Sequence, residues 1–93
     1  MNIKIIKAQL HYEKKEGYTG FVHFEVEGHK AGYELTLMGK HRDNWSYSLN
    51  FLNGPGVEAQ INEVETQIET NDELFDQLVD AALDALEQHE EEA

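Results

Sequence analysis

The chain has 93 residues, 40% of them hydrophobic, with four Phe, four Tyr and one Trp, enough for one small core but not for two. Nineteen acidic residues against seven Lys and Arg give a formal charge of −12, which disfavours direct binding to nucleic-acid phosphates or to anionic membrane. The absence of cysteine excludes disulfides, thiolate zinc sites and a Cys nucleophile.

The first half alternates apolar and polar residues, the period of a strand with one covered face. Four strands are expected, at about 2–13, 18–27, 30–38 and 45–52. Ile6, Ala8, Leu10 and Tyr12 share one side of the first. Val22, Phe24 and Val26 do so in the second, Ala31, Tyr33, Leu35 and Leu37 in the third, and Trp45, Tyr47, Leu49 and Phe51 in the fourth. The first hairpin, through Lys14-Lys15-Glu16-Gly17, keeps its faces aligned in more than one register. Glu27-Gly28-His29-Lys30 suits a two-residue turn that sets Val26 opposite Ala31, Phe24 opposite Tyr33 and Val22 opposite Leu35. A loop from Gly39 to Asp43 then sets Leu37 opposite Trp45, Leu35 opposite Tyr47 and Tyr33 opposite Leu49. Short connections give the strand order 1-2-3-4.

Asn53-Gly54-Pro55-Gly56 is a turn signal, and the charge changes there. Residues 1–52 carry seven basic and six acidic residues, a net +1; residues 53–93 carry thirteen acids and no Lys or Arg, a net −13. Val57, Ile61, Val64 and Ile68 recur at helical steps, so a helix is expected at about 55–68 with Pro55 in its first turn. Thr70-Asn71-Asp72-Glu73 has the form of a capping box opening a second helix at about 71–89, ahead of an acidic tail at 90–93. Leu74, Phe75, Leu78, Val79, Ala82, Leu83 and Leu86 make its apolar stripe. A four-stranded sheet is roughly 19 Å wide and a helix about 10 Å across, so two helices cover one face. The expected fold is a single α+β domain over 1–93, a two-layer sandwich of the form ββββαα.

Candidate functional residues are few. On the second helix Glu73, Asp76, Asp80, Asp84 and Glu87 recur at steps of 3, 4, 4 and 3, which places five carboxylates on one side. Glu58, Glu63, Glu65 and Glu69 add charge on the preceding helix. This points to a small, non-enzymatic protein-binding module that docks on a basic protein surface. A DNA-mimic inhibitor of phage or mobile-element type is the alternative, since consecutive phosphates have a comparable spacing. The same stripe also fits the solvated side of an amphipathic helix.

The other sheet face should carry Lys7, Gln9, His11, Phe21, His23, Glu25, Glu34, Thr36, Met38, Ser46, Ser48 and Asn50. His23 facing Glu34, with His11 nearby, frames a third reading, a metal or small-molecule site. His29, His41 and His89 have no evident partner, and Lys40-His41-Arg42-Asp43-Asn44 forms an exposed basic tip ahead of Trp45. No phosphate loop, HExxH or nucleophile elbow is present, so neither catalytic residues nor a cofactor is expected. No apolar run reaches the roughly 18 residues of a membrane span, and no signal peptide is evident. A cytoplasmic monomer or homodimer is expected, without direct nucleic-acid or membrane binding.

Overall fold

The computed structural model describes residues 1–41 and 44–92, the last six of these as helix backbone. Four strands, β1 (Ile3–Glu13), β2 (Gly17–Val26), β3 (Tyr33–His41) and β4 (Asn44–Phe51), form one antiparallel sheet in the order β1-β2-β3-β4. Two helices follow, α1 (Glu58–Thr70) and α2 (Asp72–Glu92). They pack against the sheet, α2 over β1 and β2 and α1 beside β4. The fold is the expected α+β arrangement, and its core lies between the two layers. Val22, Phe24, Tyr33, Leu35 and Leu37 of the sheet are fully buried against Val64, Leu78 and Ala82 of the helices.

The phase of β1 differs from the expected one. Ile3 and Ile5 face Val26 and Phe24, whereas beyond them Ala8 faces Val22 and Leu10 faces Gly20. These two sets differ in parity, and both reach the core only because one residue is extra between Ile5 and Lys7. That residue is Ile6, which is 49% exposed rather than buried. Tyr12 is also exposed, although its ring lies tilted 4.7 Å from that of Tyr18, which in turn lies 5.5 Å from Trp45.

The turns account for the remaining departures. The first hairpin closes with Glu13 opposite Gly17, leaving three residues at the tip. Gly17, which ends the turn, has φ +87°, a left-handed geometry that favours glycine. In the second hairpin Phe24 faces Tyr33, Val22 faces Leu35, His23 faces Glu34 and Phe21 faces Thr36, as the alternation implies. Its tip is longer than two residues, because β2 ends at Val26 and β3 begins at Tyr33. The His29 N–H donates to the Val26 carbonyl, so Gly28, with φ +86°, takes the third place of the turn rather than its second. The β2–β3 ladder ends at Phe24 opposite Tyr33, so Val26 and Ala31 are not paired within it.

The third hairpin is shifted by two residues. Leu37 faces Tyr47, Leu35 faces Leu49 and Tyr33 faces Phe51. β3 runs on to His41, opposite Asn44, with an extra residue between Met38 and His41. Lys40 and His41 thus belong to a strand, and Arg42 and Asp43 lie outside the described residues. A shift of two preserves every face. It also pairs more backbone polar groups than a five-residue loop would.

The helices begin later than expected. Val57 is the N-cap of α1, 38% exposed and without a side-chain cap, so Pro55 precedes the helix and Val57 leaves its apolar side. The left-handed Asn53 and Gly54 use up the intervening residues in reversing the chain. Thr70 closes α1, its hydroxyl donating to the Thr66 carbonyl at 2.7 Å. The cap of α2 is Asn71 instead, whose Oδ1 accepts from the Glu73 N–H at 3.1 Å. Asn71 also donates its own N–H to the Gln67 carbonyl and accepts from the Leu74 N–H, ending one helix and starting the next. Residues 90–92 continue α2, and Ala93 lies outside the described residues.

Candidate partner-binding surface

The apolar stripe of α2 decides where its acids point. Leu74, Leu78, Val79, Ala82 and Leu86 are buried, with Phe75 and Leu83 packed against them, so the opposite side faces solvent. Glu73, Asp76, Asp80 and Asp84 are all exposed there. At about 1.5 Å per residue they span roughly 16 Å of helix. The side chain of Glu87 lies outside the described residues.

Among the described residues no ion pair neutralises these acids. Among the described residues the ion pairs are His23 with Glu34 and His29 with Glu63, and neither involves α2. Lys4 and Lys7, on the adjacent strand, are exposed without pairing to these acids. The four carboxylates line a shallow trough of about 470 Å³, completed by Ile5, Gln77 and Ala81. Ile5, on the edge strand β1, and Ala81 are the half-buried apolar members of its lining.

The acids of α1 are divided in their roles. Glu58, Glu63, Glu65 and Glu69 are exposed. Glu63 Oε2 lies 3.6 Å from Nε2 of His29, whose Nδ1 lies 2.8 Å from the Tyr33 hydroxyl. In the tautomer that carries its proton on Nε2, the nitrogen nearer Glu63, His29 accepts the Tyr33 O–H at Nδ1. Burial, with the charge of Glu63 second, raises the Tyr33 phenol above its ordinary value of 10.0. Burial does the same to Tyr47, followed by Glu69 and then Glu65.

The chain Tyr33–His29–Glu63 was not visible as a sequence pattern. His29 and Glu63 are 34 positions apart, and only the packing of α1 over the second turn brings them together. The Lys30 N–H, donating to Gln60 Oε1 at 3.0 Å, holds that turn against the same helix. The neighbouring polar cleft, formed with Met1, Asn2 and Gln67, is open to solvent.

On the opposite sheet face His23 Nε2 and Glu34 Oε2 meet at 2.8 Å, as their facing positions imply. Phe21 stacks on His23 at 4.5 Å, with Lys7 Nζ 5.9 Å above the Phe21 ring. His11 is not part of this group. It faces Thr19, whereas the β1 residue facing His23 is Lys7. The three side chains named for a metal or small-molecule site are therefore not gathered, and no cluster of three such ligands occurs among the described residues. No helix among the described residues is long and apolar enough to cross a membrane. Compared with protein-family models, with curated proteins and with solved structures, the chain matches none.

Proposed function

We propose that this protein is a non-enzymatic, cytoplasmic binding module whose α2 carboxylates dock on a basic surface of a partner protein. One observation carries the reading: Glu73, Asp76, Asp80 and Asp84 stand exposed in a row, without a lysine of the same chain to neutralise them. Like charges four apart destabilise a helix by a few tenths of a kcal/mol each. A helix used only as a sheet cover would gain by interspersing lysines, as no residue of α2 does. The half-buried Ile5 and Ala81 beside the acids give a partner apolar surface to cover as well as charges to meet. A cysteine-free chain also fits a reducing compartment.

The test is affinity capture from the native host with the full chain, washed at about 0.05 M and then about 0.5 M salt, where screening shortens from roughly 14 Å to roughly 4 Å. Basic proteins should be retained at low salt and released at high salt. The triple variant Asp76→Lys, Asp80→Lys, Asp84→Lys should retain none of them. A captured set indifferent both to salt and to the triple reversal overturns the proposal. Release of the partner by excess duplex DNA would identify the acidic row as a DNA mimic.

A further inference from the structure

We propose that the free edge of β4 is a self-pairing surface, on which a second copy of this chain lays its own β4 antiparallel, joining two four-stranded sheets into one. The two edges of the sheet are built differently. At β1 the ladder is interrupted by the extra residue Ile6, and the exposed Lys4 and Lys7 flank it. A bulge and lysines are the usual means by which an edge strand is kept from pairing with another chain.

β4 has neither feature. The extra residue in its ladder with β3 lies on β3, so β4 itself is unbroken from Asn44 to Phe51. No Asp, Glu, Lys, Arg or His occurs from Asn44 to Val57, in a chain that is 28% charged overall. The strand alternates half-buried Trp45, Tyr47, Leu49 and Phe51 with exposed Asn44, Ser46, Ser48 and Asn50. Their counterparts Tyr33, Leu35 and Leu37 on β3 are fully buried. Burial of the apolar face therefore stops one strand short of the edge.

The pattern is complementary to itself. A two-fold axis at Ser48 sets Tyr47 opposite Leu49 and Trp45 opposite Phe51 of the second copy, with Ser46 opposite Asn50 on the other face. An axis at Tyr47 keeps the same segregation. A one-residue slip sets Trp45 against Asn50 and breaks every match. Since β4 carries no charge, no like charges meet directly across the pairing, which at other acidic surfaces of a −12 chain they would.

Electrostatics gives the pairing a signature. α1 packs beside β4 and carries the exposed Glu65 and Glu69, which approach their copies when two chains join. Added salt screens this repulsion and strengthens self-pairing. It weakens docking of the α2 acids on a basic partner, so either proposal can fail without the other. Pairing of single strand edges buries less than the roughly 1,200 Å² of a stable interface, which implies a reversible dimer.

The test is sedimentation of the full chain over a wide concentration range, at about 0.05 M and about 0.5 M salt. The mass should move from 10.7 kDa toward twice that value as concentration rises, and at lower concentration in high salt. Ser48→Lys, which places two cations together at the axis, should abolish the shift, and Lys7→Ser should retain it. Amide hydrogen exchange of the unaltered chain provides a check independent of any variant. Protection should grow with concentration at β4 and not at β1. A mass of 10.7 kDa under every condition, or protection gained at β1 alone, overturns the proposal. So does a β4 edge that gains protection only when another protein is added.

Discussion

The phenolic oxygen of Tyr33, a residue with no exposed surface, lies 2.8 Å from Nδ1 of His29, a ring carried by the turn between β2 and β3. The hydroxyl is the one polar point in a side chain otherwise surrounded by Phe24, at 5.6 Å, and Phe51, at 6.0 Å, ring to ring. Its partner is therefore supplied from outside the sheet. His29→Ala leaves that hydroxyl buried and unsatisfied and should cost about 1–3 kcal/mol in chemical denaturation. Tyr33→Phe removes the hydroxyl itself, so no buried donor is left unsatisfied, and should cost about 0.5–1.5 kcal/mol. Equal losses in the two variants would show that the Tyr33 hydroxyl is not left unsatisfied when His29 is removed.

The same tyrosine, with Tyr47, should contribute to a loss of stability at alkaline pH. Both phenols are raised above 10.0, mainly by burial and further by the nearby glutamates. A group whose folded value is raised contributes stability that is fully present below its unfolded value and is lost as pH climbs through the folded one. Stability should therefore be flat up to about pH 10 with respect to these groups and fall above it. In Tyr33→Phe the fall should be shallower, measured as denaturation midpoints across the alkaline range. An unchanged slope would mean that Tyr33 ionises as readily folded as unfolded.

Asn71 makes a separate, local prediction. Its Oδ1 caps α2 while its backbone closes α1, whereas the Thr70 hydroxyl is turned back to Thr66. Asn71→Ala should cost about 1 kcal/mol, within the usual range of cap deletions. Thr70→Ala, at an exposed helical position, should change stability by less than about 0.5 kcal/mol. The reverse order, read from thermal melts of the two variants, would restore the capping box centred on Thr70.

These cases show which parts of the architecture can be read from residue order. Alternation carries parity, and parity correctly places Val22, Phe24, Leu35 and Leu37 on the covered face. It says nothing about a shift of two, which is why Leu37 meets Tyr47 instead of Trp45 without any residue changing side. Nor does it reveal where one residue is extra. The adjacent Ile5-Ile6 pair was the available sign, since two consecutive apolar residues cannot both face the core of a regular strand. The exposed acids of α2 followed from helical spacing alone. The Tyr33–His29–Glu63 chain did not, because it depends on how α1 crosses a turn that lies far from it in sequence.

The bulge can be tested by contrasting neighbours. Ile6→Ser replaces a side chain that is 49% exposed and should change stability by less than about 0.5 kcal/mol. Leu35→Ala opens a cavity beneath the helices at a fully buried site and should cost about 2–5 kcal/mol. A large loss at Ile6 would mean that β1 follows the simple alternation after all.

The acidic row also predicts a gain. Asp80 lies four residues from both Asp76 and Asp84, and all three are exposed. Asp80→Lys converts two repulsive spacings into two attractive ones, each change worth about 0.2–0.5 kcal/mol on a helix surface. The variant should therefore melt at a higher temperature than the unaltered chain. If the row exists to meet a cationic partner, the same variant should bind that partner less well. Stability and binding would then move in opposite directions, as expected where function holds a surface away from its most stable form. A variant that is more stable and binds undiminished would reduce the row to the solvated side of a covering helix.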